Sequence, residues 1–435
     1  LPAGTKKKTM KVLIRGSGGR EHALAHKISQ SKACERVFMA PGNGGTVGVA
    51  EPVQIDPMNF DQLAGYVHVN KIDFVVVGPE APLVAGLVDY LGADARTCEV
   101  PVFGPNKMAA QLEGSKDFAK GFMLRHGIPT ACYATFAGSE YAQAAEYVAR
   151  KGAPIVLKAD GLAAGKGVRV CLAPGEAEDA LRDMLLDGKY GAAGAKVVVE
   201  DYLDGRELSV FAVCDGKEYV LLPTAKDYKR VGEGDSGPNT GGMGAVSPVW
   251  YADADFMEKV DSQVVRPTMR GLRADGIDYR GFLYFGLMRV AGEPYVIEYN
   301  CRMGDPETEA VLPRIKSDLL PLLYAAARGG LGPQAAVDLY PQACATVVLA
   351  SAGYPGEYSK GKAIKIGGAV AGAMIYHAGT ALENHVLTTA GGRVMAVSAL
   401  GDRLRDALGI CYAQIEAVRY EGKVYRRDIG LDLGG

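Results

Sequence analysis

The amino-acid sequence predicts a multidomain protein of mixed α/β and α+β class, opening with a parallel sheet covered on both faces. Three observations predict it. Over residues 10–112, short apolar runs alternate with helical stretches, the pattern of strands joined by crossover helices. After Leu112 the texture changes, first to a compact unit of strands and helices and then to a strand-dominated region. The length, 435 residues, accommodates several domains at roughly 100–200 residues each.

In order along the chain, Lys11-Val-Leu-Ile14 reads as a strand, Gly16-Ser-Gly-Gly19 as a turn and residues 20–29 as a helix. A second strand at 36–40 runs into Pro41-Gly-Asn-Gly-Gly45. Phe74-Val-Val-Val77 ends in Gly78-Pro-Glu80, and Pro101-Val-Phe103 in Gly104-Pro-Asn106. All four loops fall at strand carboxyl ends, where parallel sheets bind ligands. Residues 115–127 are predicted helical and are stopped by Ile128-Pro-Thr130. A helix at 141–150, strands at 154–158 and 168–172 around a Gly-rich loop, a helix at 176–186 and a strand at 196–200 make a small lid. Strands at 208–213, 218–222, 281–290 and 295–299 follow, with a helix at about 253–275 between them. The tail from Cys344 has short strands, Gly-rich turns and one helix near 402–420. The domains expected are 10–112, 113–200, 201–335 and 336–435. Met10, directly before the first strand, reads as the native start, with residues 1–9 a preceding remnant.

Composition narrows the function. A formal net charge of −2 gives no reason to expect a nucleic-acid partner. No apolar run reaches the ~18 residues that span a bilayer, and residues 1–9 lack the apolar core of a signal peptide. Eight scattered cysteines without zinc spacing read as reduced, buried thiols of a cytoplasmic enzyme.

Each motif has a plain structural reading beside the functional one. Gly16-x-Gly18 begins like a dinucleotide fingerprint, but its third position is Glu21, and no acid closes the second strand. The turn is therefore expected to hold a smaller phosphorylated ligand on open helix N-terminal amides, or none. His22 and His26 stand four apart with no third ligand suggested, so packing or substrate contact is expected rather than metal. Gly161-Leu-Ala-Ala-Gly165-Lys166-Gly167 is not a Walker A: the spacing is short, Gly167 replaces the Ser/Thr, and the loop joins two strands. A glycine-rich hairpin can still fold over phosphates, and Lys158 at a strand end calls for an anionic partner. Glu200-Asp201-Tyr-Leu203 leads from a strand into a linker suited to an adenine edge, with Glu207 placed for ribose hydroxyls, although such acids are usually just solvated.

Glu298 and Asn300 share one face of a strand, two oxygen donors suited to Mg²⁺. Arg302 comes next on that face if the strand continues, positioned to grip a phosphoryl group or carboxylate; the alternative is a structural ion network. Cys301 alternates to the opposite face, so packing is expected. Asn239-Thr240-Gly241-Gly242-Met-Gly244, preceded by Asp227, Lys229 and Arg230, reads as a loop closing over substrate, against the plain reading of a flexible connector.

Taken together and in this order, the motifs resemble the ATP-grasp superfamily, and most closely the glycinamide ribonucleotide synthetases. Gly16 to His22, Pro41 to Gly45, Leu112-Glu-Gly-Ser-Lys116, Lys158 to Gly167, Asn239 to Gly244 and Glu298 to Glu307 carry the resemblance, from Met10 to near the C-terminus. It implies an ATP-grasp fold with an N-terminal parallel-sheet domain, a mobile lid, a larger ATP-grasp half and a C-terminal domain that completes the cleft. It implies an ADP-forming ligase of purine synthesis that joins glycine to phosphoribosylamine through a glycyl phosphate, with ATP and Mg²⁺ or Mn²⁺.

By motif match, Lys116, Lys158, Gly165, Lys166 and Gly167 meet the phosphates, Glu200, Asp201 and Leu203 the adenine, and Glu207 the ribose. Glu298 and Asn300 hold the metal. Arg302, Asp227 and Lys158 are the expected catalytic residues. Gly18, Gly19, Arg20, Asn43, Gly44, Asn239, Thr240, Gly241, Gly242 and Arg302 are expected at the substrates. The superfamily's further acidic metal ligand has no counterpart in Leu283-Tyr-Phe-Gly-Leu-Met288, which leaves the metal shell incomplete. A monomer acting on small molecules is expected, without a nucleic-acid or membrane partner. The alternatives are another ATP-grasp ligase of purine synthesis and a non-catalytic nucleotide-binding module.

Overall fold

The computed structural model describes residues 9–163 and 167–433. Strands β1 (Met10–Gly16), β2 (Cys34–Pro41), β3 (Glu51–Pro52), β4 (Phe74–Val77) and β5 (Val102–Phe103) form a parallel sheet in the order β3-β2-β1-β4-β5. All four residues of β4 are buried, as expected of an unbroken apolar run in a sheet covered on both faces. Strand order reverses between β1 and β4, so the crevice at the sheet's carboxyl edge opens beside Gly16 and Gly78.

The next unit is an antiparallel sheet of β6 (Tyr133–Ala137), β7 (Ile155–Ala159), β8 (Val168–Cys171) and β9 (Lys196–Asp201), ordered β6-β9-β7-β8. Helices Tyr141–Lys151 and Pro174–Leu185 pack on it through Ala144, Val148, Ala177, Leu181 and Met184. The sequence reading missed β6, an edge strand with no fully buried residue. The predicted helix at 115–127 forms as Lys116–Arg125, capped by Ser115, which accepts the Phe118 N–H at 3.1 Å, with a short helix Gln111–Gly114 before it.

A third sheet joins β10 (Arg206–Asp215), β11 (Tyr219–Leu221), β16 (Arg280–Val290) and β17 (Glu293–Asn300) in the order β11-β10-β16-β17. The helical region predicted between them is interrupted by a π-helical turn at Asp261–Val265. The intervening β12 (Lys226–Asp227) and β15 (Gly244–Ser247) leave this sheet. They extend the C-terminal one, built on β18 (Ala343–Ser351), Arg393–Gly401 and Ala373–His377. Between them β13 (Arg230–Gly232) and β14 (Ser236–Asn239) form a hairpin. The stretch predicted as a free closing loop is thus tied into strands at both ends. Among the described residues no helix is long and apolar enough to cross a membrane.

All eight cysteines are free, but the expectation of buried thiols holds for only part of the set. Cys98 and Cys132 are exposed and Cys34 is half-buried, while the other five are buried.

Candidate active site

The cleft is floored by β10, β16 and β17. In β17 the pairing jumps from Gly286↔Glu298 to Leu287↔Val296, leaving Ile297 as an extra residue. Beyond this bulge Glu298 and Asn300 share the cleft face, while Val296 and Tyr299 stay in the core. The Ile297 carbonyl accepts from Lys158 Nζ at 2.8 Å, so the bulge couples β17 to β7 of the lid.

Cations surround Glu298. Burial pushes its carboxyl up, but Lys229, Lys158, Lys116 and Arg302 outweigh burial and hold it below the usual range. Lys116 Nζ donates to the Gly161 carbonyl at 3.1 Å, and burial lowers its pKa against the pull of Glu298. Behind them Glu200 is buried between Lys158 at 2.8 Å and Lys120 at 2.9 Å. Burial lowers Lys120 to about 8, with Glu200 opposing. Asp201 ends β9 and pairs with Lys151 at 2.6 Å, and Leu203 lies in the linker to β10. Gly167 borders β8; Gly165 and Lys166 lie outside the described residues.

Lys229 pairs with Glu207 and lies 3.4 Å from Asp227. Burial lowers and these two acids raise the Lys229 pKa, and the acids win. Burial raises Glu207 despite Lys229. The expected ribose ligand is therefore already engaged by a lysine. Glu307, the end of the 298–307 motif and given no role in the sequence reading, is buried beside this group, with Ser209 Oγ donating to it at 3.1 Å. Burial, then Asp227, raises its carboxyl to about 7.

Several expectations need correction. β17 ends at Asn300, so Arg302 does not continue its face. The Arg302 guanidinium lies 2.8 Å from Glu113 and 3.1 Å from Glu80, joining the ATP-grasp half to the N-terminal sheet. Against burial, Arg302 and Arg20 hold Glu80 down at about 2. Cys301 is buried as expected, and its thiol donates to Glu113 at 3.1 Å.

One donor of the N-terminal turn is already taken within the protein. Gly18 N–H donates to Glu21 at 2.7 Å, so the helix Gly19–Ser29 is capped by its own carboxylate. Gly16 and Gly78 give Glu21 its room, since a Cβ on either would stand 2.2 Å from its side chain. Gly19 packs against buried Glu309, and Arg20 is held by Glu21 at 2.6 Å and by the Met303 carbonyl at 3.1 Å. Asn43 is likewise engaged. Its amide donates to the Ser17 and His377 carbonyls at 2.8 and 2.7 Å, and its oxygen accepts from Gly45 at 3.0 Å. Gly44 N–H donates to the Thr380 carbonyl at 2.9 Å. These residues staple the first sheet to the C-terminal domain. His22 belongs to the same interface, its Nδ1 accepting the His377 N–H at 2.7 Å.

The sequence carried some signal for what it missed: Glu80 and Glu113 lie inside motifs it singled out. Their pairing with Arg302, across 222 positions in the case of Glu80, needed the fold.

A four-stranded lid presents Lys158 and Glu200 to a sheet presenting Glu298 and Asn300, with Lys116 at the junction. That arrangement defines the ATP-grasp class. The crystal structure of a biotin carboxylase–ATP-analogue complex from Campylobacter jejuni matches the fold at TM-score 0.72 and 14% identity, over 96% of this chain and 93% of that one.

Family models match closely. The N domain of phosphoribosylglycinamide synthetase covers residues 10–113, its ATP-grasp (A) domain 114–308 and its C domain 344–432. The chain belongs to the phosphoribosylglycinamide synthetase family. It is 49% identical to the phosphoribosylamine–glycine ligase of Rhizobium meliloti over 97% of this chain and 98% of that protein. It is 47% identical to that of Chlorobaculum tepidum over 97% and 99%. The crystal structure of the Thermotoga maritima phosphoribosylamine–glycine ligase matches at TM-score 0.82 and 35% identity, covering 96% of this chain and 99% of that one.

Proposed function

We propose that this chain uses ATP to join glycine to 5-phosphoribosylamine, giving glycinamide ribonucleotide, ADP and phosphate in purine synthesis. The observation that carries this reading is near-full-length identity of 49% to a phosphoribosylamine–glycine ligase, joined to a cleft whose lysines converge on one carboxylate.

The glycine carboxylate attacks the γ-phosphorus of ATP, the bond to the β-bridging oxygen breaks, and ADP departs. The phosphoribosylamine nitrogen then attacks the glycyl carbonyl carbon, phosphate leaves with the C–O bond electrons, and the nitrogen loses a proton. Such chemistry needs positioning and charge stabilisation rather than a nucleophilic side chain. Lys116 and Lys158 serve the phosphates, with Gly165, Lys166 and Gly167 of the hairpin. Glu200, Asp201 and Leu203 serve the adenine, and Glu207 the ribose once Lys229 yields it. Asp227, Asn239, Thr240, Gly241 and Gly242 line the reacting end, while Arg302, its guanidinium held by Glu80 and Glu113, bears on it through the field at Glu298. Gly18, Gly19, Arg20, Asn43 and Gly44 shape the approach to it rather than grip a phosphate.

Glu298 and Asn300 fit a divalent metal: both are hard oxygen donors on one face. Among the described residues no cluster of three or more His, Cys, Asp or Glu gathers to complete a shell. Two protein ligands with the remainder from phosphates and water is the pattern Mg²⁺ accepts, and Mn²⁺ with it. When bound there, the ion would neutralise polyphosphate charge. We place the enzyme in the cytoplasm as a monomer.

A coupled ADP assay tests the reading. Release should require glycine and rise with fresh phosphoribosylamine; release indifferent to glycine, or driven by another small carboxylate, would reject it.

A further inference from the structure

Arg393 of the C-terminal domain reaches the loops beside the cleft. Arg393 opens the strand Arg393–Gly401, and its Nη1 donates to the carbonyls of Gly241 and Asp305, each at 2.6 Å. The same nitrogen lies 3.0 Å from Asp305 Oδ1. Gly241 is pressed to the guanidinium so closely that a Cβ there would stand 2.8 Å from Cζ. The two loops also touch directly: Gly242 adopts φ +116°, and a Cβ on it would stand 2.4 Å from Pro306. Tyr354, from the C-terminal domain, accepts the Gly241 N–H at 2.9 Å.

From this point a hydrogen-bonded path leads to the charged group in the cleft. Gly242 N–H donates to Thr240 Oγ1 at 2.9 Å, and Thr240 Oγ1 donates to the Lys229 carbonyl at 2.9 Å. The Lys229 ammonium holds Glu207 and Asp227. On the other loop, Asp305 lies between Met303, whose carbonyl binds Arg20, and Glu307.

Two carbonyl oxygens and a carboxylate oxygen thus converge on one nitrogen. Oxygens so placed repel one another unless a cation stands between them. We propose that Arg393 is a positioning residue for the ligase reaction. By holding the glycine-rich loop 239–242 against the acidic loop 303–306, it sets where Lys229 and Glu307 stand over the cleft floor. It acts through these loops rather than on substrate. This role rests on the ligase reading for its kinetic consequence, though not for its structural one.

The test uses the full chain. Arg393→Ala should lower kcat on the order of 100-fold, the scale on which about 1 Å of misplacement acts, with KM for ATP little changed. Arg393→Lys, which keeps the charge, should fall between it and wild type. The side chain is 22% exposed, so guanidinium ion can enter the gap. Dilute guanidinium chloride should restore much of the lost kcat in Arg393→Ala, where sodium chloride and urea do not. Hydrogen exchange, which needs no turnover, should quicken in both 239–242 and 303–306 in Arg393→Ala and reverse with guanidinium. Wild-type ADP release, measured alongside, tests the ligase reading separately. Unchanged exchange in these loops would overturn the proposal. So would a kcat like wild type, or a loss that guanidinium cannot reverse.

Discussion

The carboxyl edge of the first sheet and the end of β17 both offer glycine-rich turns and charged side chains at strand ends, yet their charges are arranged in opposite ways. At the first, protein groups satisfy one another: Glu21 takes the Gly18 N–H and Arg20, and Asn43 bridges Ser17 to His377. At the second, Lys116, Lys158 and Lys229 all bear on Glu298. The second gathers three lysines about one carboxylate, with Lys158 also paired to Glu200 and Lys229 to Glu207, whereas the first offers one arginine, held by Glu21. Glycines beside a helix N-terminus therefore do not by themselves identify a ligand site, because a carboxylate of the chain can cap the helix instead.

The largest expected effect lies at β17. Glu298→Gln or Asn300→Ala should lower turnover by at least ~100-fold, the scale of losing one key charge-stabilising group, while the circular dichroism spectrum stays native. Near-normal turnover would erase the contrast between the two edges.

At the first edge the expected losses are in stability, not chemistry. Gly45→Ala puts a Cβ 2.3 Å from the His377 ring. It should destabilise the protein by about 1–3 kcal/mol in urea unfolding, the cost of overpacking, with the KM for ATP unchanged. A raised KM for phosphoribosylamine with unaltered stability would return that edge to substrate binding.

A pH effect separates the two regions further. Glu307 is raised on folding from 4.5 to about 7, so the native state holds its proton more tightly than the unfolded chain. Its contribution to stability is full below pH 4.5 and is lost as pH rises through about 7. Glu307→Gln should flatten that decline in melting temperature between pH 5 and 8; an unchanged slope would place the titration elsewhere. The smallest effect is expected at the exposed Lys151–Asp201 pair, where Lys151→Ala should leave both melting temperature and turnover nearly unchanged.

Much of this was legible in the sequence, for physical reasons that differ by element. The buried run Phe74–Val77 and the alternation placing Glu298 and Asn300 together are local properties, readable without the fold. The Ile297 bulge is not local: it appears only in the pairing with β16, and without it Lys158 would have no β17 carbonyl to meet. Arg302 was misread because alternation was carried past Asn300, where the chain leaves the strand and Glu80 and Glu113 capture the guanidinium. The cap at Gly18 was not read from the sequence because Glu21, three residues on, was weighed against a cofactor motif and not as a partner of the Gly18 N–H. β12 and β15 lie within a segment assigned to one domain but hydrogen-bond to another, a partnership no spacing reveals.

The most direct measurement is a crystal structure with a non-hydrolysable ATP analogue, Mg²⁺ and glycine. The triphosphate should lie among Lys116, Lys158, Glu298 and Asn300, with Glu21 still holding the Gly18 N–H. A triphosphate seated on the Gly16–Gly19 turn, with Glu21 displaced and the β17 cleft empty, would contradict the account.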